Sequence, residues 1–426
     1  MIPLPATRVL VVGGKAGIVR KAAALGLDVV HIQKPSAFDP DVVEHCSQLL
    51  LVDYQDVPTV TALVRALHEQ RPFARVFTQT EAAQVVAGHL TDALGLPGNG
   101  ERTTRLLHDK PALRALLNER GIGPVRTVTR PTAAELRDFV KAAGSAVLKP
   151  TMGSGSLGVR RIASVDEVDE AWAWREAFGL DDFMAEEWLT GEELSVETFS
   201  RAGAHTVVAV TGKETGQGVV ELGHVVPAPL DGAGREAVVS TVEALLDAVG
   251  LVDGPAHTEL ILTAAGPRVI ESHSRRGGDR INELVRLVHG VDLEEAAYRL
   301  ALDGDPLPRR AEPTGAAAIR FLVAEPGTVT SVTGASEAEA MDGVVQVDVQ
   351  VEPGDTVHEL RWSEDRCGHV VVRAADAQAA VRLAADVAAR IVITTEPAAD
   401  DGRSATLGTL LDEVDEVLDP FAAASR

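Results

Sequence analysis

The sequence predicts a chain of two or three domains that combines α/β and α+β architecture. Three observations carry this. Apolar runs of strand length alternate with helix-period segments over about the first 100 residues. A two-stranded apolar pattern, HTELILTAAGPRVIESH (257–273), turns near Ala265. Strand-like and helical segments are mixed through the rest of the chain. In order, RVLVV (8–12) is followed by GGKAG, by VRKAAALGL with helical spacing, and by DVVHI, which together make a βαβ unit. LLLVD (49–53) and ARVFT (74–78) continue a parallel sheet. LGLPGNG (94–100) punctuates the chain, and ERTTRLLHDKPALRALLNERGIG reads as one polar helix. SAVLKP (145–150) is a strand running into the glycine-rich loop TMGSGSLGV (151–159). FMAEEWLTGEELSVETFSRAG (183–203) reads as two strands around a turn, HTVVAVTGK as a strand, and GREAVVSTVEALLDAVGL as a long helix. Beyond residue 310 the pattern is a smaller α/β unit, ending in a short amphipathic helix, TLGTLLDEVDEVL (406–418).

Composition narrows the function. Of 426 residues, 45% are hydrophobic and 24% charged, an ordinary globular balance. The net charge of −23 and the 4% aromatic content argue against a nucleic-acid partner, which needs a basic stripe or stacking platforms. Two distant cysteines, Cys46 and Cys367, exclude a disulfide framework or a zinc-finger pattern. No apolar run approaches the ~18 residues of a membrane span, and Pro3 and Pro5 interrupt the N-terminus where a signal peptide would lie. The expectation is a cytoplasmic protein acting on small molecules, with a homodimer left open.

The hairpin carries the sharpest chemistry. If Thr263 faces Pro267, residues pair when their numbers sum to 530, so Glu259 opposes Glu271 and His257 opposes His273 on one face. Like charges across a ladder are destabilising, so the two carboxylates call for a cation or a shared proton. A hard divalent ion, Mg²⁺ or Mn²⁺, meets that need with oxygen ligands; two solvated carboxylates, or a zinc site using the two histidines, are the alternatives. Next, SRRGGDRINELVRLVHG sets Arg275, Arg276 and Arg280 around two glycines at a helix start, an arrangement suited to an anion. The loop after Lys149 offers Gly153, Ser154, Gly155, Ser156 and Gly158 as phosphate donors without forming a P-loop. The early GGKAG is not GxGxxG and reads as a tight turn rather than a nicotinamide site.

Taken in order, HDKPALRALL, VLKP with its Gly/Ser loop, EEWLTGEELSVE and the paired carboxylates ending in ESHSRRGGD resemble the ATP-grasp ligases over about residues 5–390. The resemblance implies ATP-grasp architecture: an N-terminal parallel-sheet α/β domain (1–105), a two-lobed nucleotide-binding domain (106–308) with a lid at about 140–212, and a small C-terminal α/β domain (309–426). It implies ATP and Mg²⁺, or Mn²⁺, as cofactors. Lys110 and Lys149 match the lysines that meet the nucleotide, and Ser154, Gly155 and Ser156 the loop over its phosphates. Glu186, Glu187 and Leu189 match the adenine hinge, and Glu193 the carboxylate on the ribose. Glu259 and Glu271 match the metal ligands, while Arg275, with Lys149, matches a cation on the transferred phosphate. The family pattern ExNxR becomes Glu271-Ser-His273-Ser-Arg275 here, which puts His273 at the asparagine's metal-binding position.

Within the family, VTGKETGQGVVELGHVVPAPL (210–230) is similar to the bacterial L-amino-acid ligases, which make dipeptides. There Glu221 and His224 match a Glu-x-x-His lining the amino-acid pocket. Asp279 falls where some such enzymes place a bulky residue limiting substrate size, with Gly278 beside it in the substrate site, and an acidic residue suits a polar or amino-bearing substrate. The implied reaction activates a carboxylate as an acylphosphate and captures it with an amine. A carboxylase activating bicarbonate and a non-catalytic nucleotide-binding regulator are the alternatives.

Overall fold

The computed structural model describes residues 6–153, 155–216, 219–307 and 313–397. Ser154 and the helix read at 406–418 lie outside the described residues. The N-terminal unit runs β1 (Arg8–Val12), α1 (Ala16–Ala24), β2 (Asp28–Gln33), β3 (Gln48–Leu51), α2 (Val57–Gln70), β4 (Arg75–Phe77) and α3 (Gln84–Leu94). Its four strands pair in parallel, in the order β3-β2-β1-β4. β1 is buried along its whole length, as a central parallel strand covered on both faces must be. Gly14 has φ +96°, and a Cβ there would lie 2.8 Å from the Ile18 side chain, so the β1–α1 turn needs glycine.

The segment expected to be one helix is two, α4 (Glu101–His108) and α5 (Lys110–Arg120). Asp109 makes the break. Its carboxylate caps α5 by accepting from the Ala112 amide at 2.9 Å, and Pro111 lacks the N–H that an unbroken helix would use. The break sets Lys110 at the first position of α5.

A second unit follows: β5 (Thr127–Thr129), α6 (Ala133–Ala143), β6 (Ala146–Pro150), β7 (Arg160–Ile162), α7 (Val168–Phe178) and β8 (Phe183–Glu187). Its antiparallel sheet has the order β5-β8-β6-β7. The rest of the central region comprises β9 (Gly191–Arg201), β10 (Ala204–Thr215), β11 (Glu221–Val226), α8 (Gly232–Val249), β12 (Gly254–Thr263), β13 (Gly266–His273), α9 (Ile281–His289) and α10 (Leu293–Arg299). Then come β14 (Ala316–Leu322), β15 (Gly327–Thr333), α11 (Ala335–Glu339), β16 (Val344–Val349), β17 (Thr356–Val357), β18 (Gly368–Ala374), α12 (Ala377–Ala388) and β19 (Val392–Glu396).

One eight-stranded antiparallel sheet, β13-β12-β9-β10-β11-β14-β18-β16, joins these two regions. The link is β11 on β14, with His224 opposite Ile319. Strands on either side of residue 308 therefore share a sheet, while β17, β15 and β19 form a small sheet of their own. β8 and β9, read from sequence as two strands around a turn, belong to different sheets. The four-stranded sheet draws on residues 127–187, and β9 and β10, at 191–215, lie in the large sheet.

The C-terminal region also reaches the four-stranded unit. Trp362 is 7% exposed and packs in the core made by Leu136, Val140, Leu148, Ile162 and Phe178. The next residue, Ser363, donates its amide to the Gly155 carbonyl at 3.1 Å. Trp362→Ala is expected to cost about 3–5 kcal/mol, as truncation of a buried tryptophan does, read as a lower urea midpoint with unchanged slope.

Candidate functional site

The β12–β13 hairpin brings the facing carboxylates together by a bulge. At the open end, His257 pairs with His273 and Glu259 with Glu271. Nearer the turn the register differs by one from the expected sum: Leu260 pairs with Val269, Leu262 with Pro267 and Thr263 with Gly266. The extra residue is Ile270. In an unbroken strand Val269 would share a face with Glu271. With the bulge, Val269 and Leu260 both enter the apolar core against α8, while Ile270 and Glu271 line the cavity on the other face.

That cavity has a volume of about 900 Å³. It lies between the four-stranded unit and the large sheet. Of the residues expected at the site, Lys110, Lys149, Gly155, Ser156, Glu186, Glu187, Leu189, Glu193, Glu221, His224, Glu259 and Glu271 all line it. His273, Arg275, Gly278 and Asp279 stand outside its lining.

Buried cations balance the carboxylates. The Lys213 ammonium is 2.8 Å from Glu259, 2.8 Å from Glu221 and 3.5 Å from Glu193, with its side chain 1% exposed. Those three carboxylates sit close enough together to hold a metal ion. The lysine occupies the centre of that cluster. Burial raises Glu193 to about 7, with Glu259 and Glu221 adding to the rise against the pull of Lys213. Burial opposes ionisation of Glu259 as well, yet Lys213 and a hydrogen bond from His257 bring it down to about 2. Glu271 is held well below the usual carboxylate range: burial works against this, and Lys110 at 3.2 Å and His273 at 3.1 Å outweigh it.

His257 is flanked on both nitrogens, by Glu197 at 2.7 Å and Glu259 at 3.0 Å. Burial disfavours its charged form, but the two carboxylates lift it to about 9. It is an imidazolium at neutral pH and has no lone pair for a metal.

A second buried chain of charges joins the two sheets. Lys149 on β6 pairs with Glu186 on β8 at 2.7 Å, and Glu186 accepts from Arg114 on α5 at 2.6 Å. Arg114 also donates to the Val269 and Ile270 carbonyls, at the bulge. Burial lowers the Lys149 pKa despite Glu186 beside it. The Glu187 side chain instead serves Arg126, accepting from its amide and its Nε at 2.9 Å each.

The glycine-rich loop is docked on both sides. The Lys110 ammonium donates to the Gly153 carbonyl at 2.5 Å, and the Ser156 hydroxyl donates to the Val219 carbonyl at 3.0 Å. Arg275 pairs with Glu81 of the N-terminal unit, and His273 Nδ1 is 3.9 Å from the same carboxylate. His224 and Asp279 meet at 3.3 Å, and Arg366 of the C-terminal region lies 3.0 Å from Asp279 and 3.5 Å from Glu221.

The sequence reading missed Lys213, Arg114, Glu81, Glu197 and Arg366. For Lys213 a signal existed: a lone lysine ending the apolar run HTVVAVTGK, which β-pairing sets opposite His224. The others act from separate elements, and no local spacing connects them. Within SRRGGD the demanding glycine is Gly277 rather than Gly278. A Cβ on Gly277 would lie 2.9 Å from His257 Nδ1 and 3.1 Å from Glu197, whereas one on Gly278 meets nothing within 4 Å.

Residues 143–283 match the ATP-grasp domain, 19–98 the ATP-grasp N-terminal domain, and 320–396 the L-amino acid ligase C-terminal domain 2. The chain belongs to the ATP-grasp carboxylate–amine ligases. Such a chain is an ATP-dependent, ADP-forming enzyme that makes C–N bonds. It is 30% identical over 352 residues to the uncharacterized protein y4rH of Sinorhizobium fredii, covering 79% of this chain and 71% of that one. It is 24% identical over 330 residues to the L-arginine-specific L-amino acid ligase of Bacillus subtilis, covering 73% and 78%. The crystal structure of an L-amino acid ligase from Bacillus licheniformis superposes with a TM-score of 0.76 at 22% identity, covering 92% of this chain and 99% of that one, a likeness of fold. Among the described residues, no helix of this ATP-grasp enzyme is long and apolar enough to cross a membrane.

Two outcomes are expected of the site's scaffold. Lys213→Gln leaves three buried carboxylates without their cation and should cost about 3–5 kcal/mol in urea unfolding. Gly277→Ala should cost about 1–3 kcal/mol by overpacking against His257, with Gly278→Ala within about 0.5 kcal/mol of wild type in the same measurement.

Proposed function

We propose that this enzyme joins the carboxylate of one amino acid to the amine of another, through an acylphosphate, releasing ADP and phosphate. The observation that carries this reading is the pair Glu259 and Glu271, facing each other at the wall of a nucleotide-sized cavity that Lys110 and Lys149 also line. Support for an amine as acceptor comes from the match of residues 320–396 to an L-amino acid ligase domain.

In this reading Lys149 and Lys110 bind the nucleotide phosphates, and Gly155 and Ser156 cover them. Glu187 and Leu189 offer backbone groups to the adenine, with Glu186 holding Lys149 in place. Glu193, poised near neutrality, accepts from a ribose hydroxyl. Glu259 and Glu271 are oxygen donors set face to face and kept ionised, a donor pair that would suit a hard divalent ion, Mg²⁺ or Mn²⁺. When bound, that ion offsets charge on the phosphate oxygens. Arg275 sits two residues beyond His273 and supplies a guanidinium for the transferred phosphate once Glu81 yields it. Glu221 and His224 bind the amino-acid substrate. The protein's contribution is positioning and exclusion of water, which would otherwise hydrolyse the acylphosphate.

The test is phosphate release from ATP over pairs of amino acids, with mass spectrometry of the products. Release is expected only when an amino-acid pair is present, and a mass equal to the two acids less water. Release that needs bicarbonate and no amino acid would point to a carboxylase instead. Glu271→Gln is expected to lower release on the order of 100-fold or more; turnover like that of the wild type would sink the metal assignment.

A further inference from the structure

Resting on the reading above that Gly155 and Ser156 cover the nucleotide phosphates, we infer that Trp362 and Ser363 of the C-terminal region are positioning residues for nucleotide binding. They act through the glycine-rich loop, which they hold in place at the cavity.

Gly153, Gly155, Ser156 and Leu157 line the cavity, whereas Trp362 and Ser363 do not. Any effect of the pair on the nucleotide therefore passes through the loop. The loop is gripped from separate elements. Lys110 of α5 donates to the Gly153 carbonyl at 2.5 Å, the Ser156 hydroxyl donates to the Val219 carbonyl at 3.0 Å, and the Ser363 amide donates to the Gly155 carbonyl at 3.1 Å. Gly155 and Ser156 are consecutive left-handed residues, at φ +66° and φ +61°. A serine keeps that conformation only where its surroundings hold it. The shape of the loop is thus imposed by its contacts, and the one at Gly155 comes from more than 200 residues along the chain.

That contact is built to be rigid. Trp362 is 7% exposed in the core of the four-stranded unit, and the other described residues of that core lie between 128 and 185. Leu157 of the loop packs against the same core, so the indole and the loop are fixed to one body. Ser363–Asp365 then form a single 3-10 turn. Arg361 closes it, donating to the Asp365 carboxylate through its amide, Nε and Nη2 at 2.9, 3.0 and 2.7 Å. Just beyond, the Cys367 amide donates to the Leu322 carbonyl of β14 at 2.8 Å, which anchors the turn on the large sheet. The Ser363 amide is therefore presented to Gly155 from a turn held on both sides, and little freedom is left for it to lose when the nucleotide binds.

Ser363→Pro isolates the contact. Trp362 is extended, at φ −159° and ψ 176°, the backbone that a residue before proline favours, and position 363 opens a helical turn, where proline fits. The substitution removes the N–H that meets Gly155 and touches no residue of the cavity lining. It also removes the hydroxyl that accepts from Arg366 Nη2 at 2.5 Å, so Ser363→Ala, which loses the hydroxyl and keeps the N–H, is the comparison. Affinity for a non-hydrolysable ATP analogue with Mg²⁺ is read by calorimetry on the full chain, without amino acids. Ser363→Pro is expected to weaken it about 10-fold, and Ser363→Ala to stay within about twofold of wild type. In phosphate release, the KM for ATP is expected to rise by the same factor in Ser363→Pro, with kcat and the amino-acid KM within about twofold. A merely structural role would lower the urea midpoint and leave the affinity of the folded protein unchanged. If Ser363→Pro does not fold, Trp362→Phe carries the test, with analogue binding expected to weaken about threefold. Equal analogue affinity in Ser363→Pro and Ser363→Ala, wild-type affinity in a folded Trp362→Phe where that variant carries the test, or a change confined to the amino-acid KM would overturn the inference. Analogue binding that responds to Ser363→Pro in a protein that ligates no amino-acid pair would uphold it and overturn the ligase reading.

Discussion

The structure depends on placing acidic groups where water is scarce and giving each a buried cation. Glu193, Glu221 and Glu259 converge because β9, β11 and β12 run side by side or nearly so in one sheet. Without Lys213 at their centre, three carboxylates in a low-dielectric wall would repel one another or take up protons. One ammonium, fixed by β10 between β9 and β11, solves this and leaves Glu259 ionised. The same logic recurs around it: Lys110 for Glu271, Lys149 and Arg114 for Glu186, and the His257 imidazolium between Glu197 and Glu259. An ATP-grasp enzyme needs carboxylates that are charged before nucleotide and metal arrive. This chain keeps them charged with lysine, arginine and histidine.

The bulge at Ile270 shows how a local irregularity serves two demands. Val269 must fill the core under α8, and Glu271 must face the cavity, although they are two residues apart and a regular strand would turn them the same way. One extra residue reverses the alternation, and Arg114 takes up carbonyls at that point. Arg114 also holds Glu186, so the hairpin, α5 and β8 are fixed relative to one another by a single buried guanidinium. Strand β8 and the carboxylate-bearing hairpin are thereby fixed to each other across two separate sheets.

Much of this was legible in the sequence, for physical reasons that can be named. The Glu259–Glu271 facing was read from a period of two and a turn one residue longer than the real one, and the bulge at Ile270 supplies the missing residue. The parallel N-terminal sheet follows from apolar runs separated by helical spacing. The turn end of the hairpin escaped because two effects cancel: the turn is tighter than expected by one residue, and the bulge restores the count before Glu259. The break at Asp109 escaped because helical periodicity continues across it, and the cap and Pro111 outweigh that periodicity. Lys213, Glu81 and Arg366 were hidden more deeply. Each meets its partners through strand order and packing between elements far apart in sequence, which neither composition nor spacing encodes.

The C-terminal region has the most distributed role, and its short segment from Trp362 to Arg366 explains why. Trp362 is buried in the core of the four-stranded unit, Ser363 holds the Gly155 carbonyl of the glycine-rich loop, and Arg366 reaches Glu221 and Asp279. Five residues therefore touch the four-stranded unit, its loop and the carboxylates Glu221 and Asp279. The strand that follows, β18, is hydrogen-bonded between β14 and β16, so the segment is anchored in the large sheet. Any rotation of the four-stranded unit away from the large sheet must withdraw Trp362 from its core or carry the segment along. In the second case Arg366 leaves Asp279 and Glu221, and two partly exposed carboxylates lose their guanidinium. The segment thus ties the core of the four-stranded unit to the carboxylates beside His224, through a tryptophan and an arginine four residues apart.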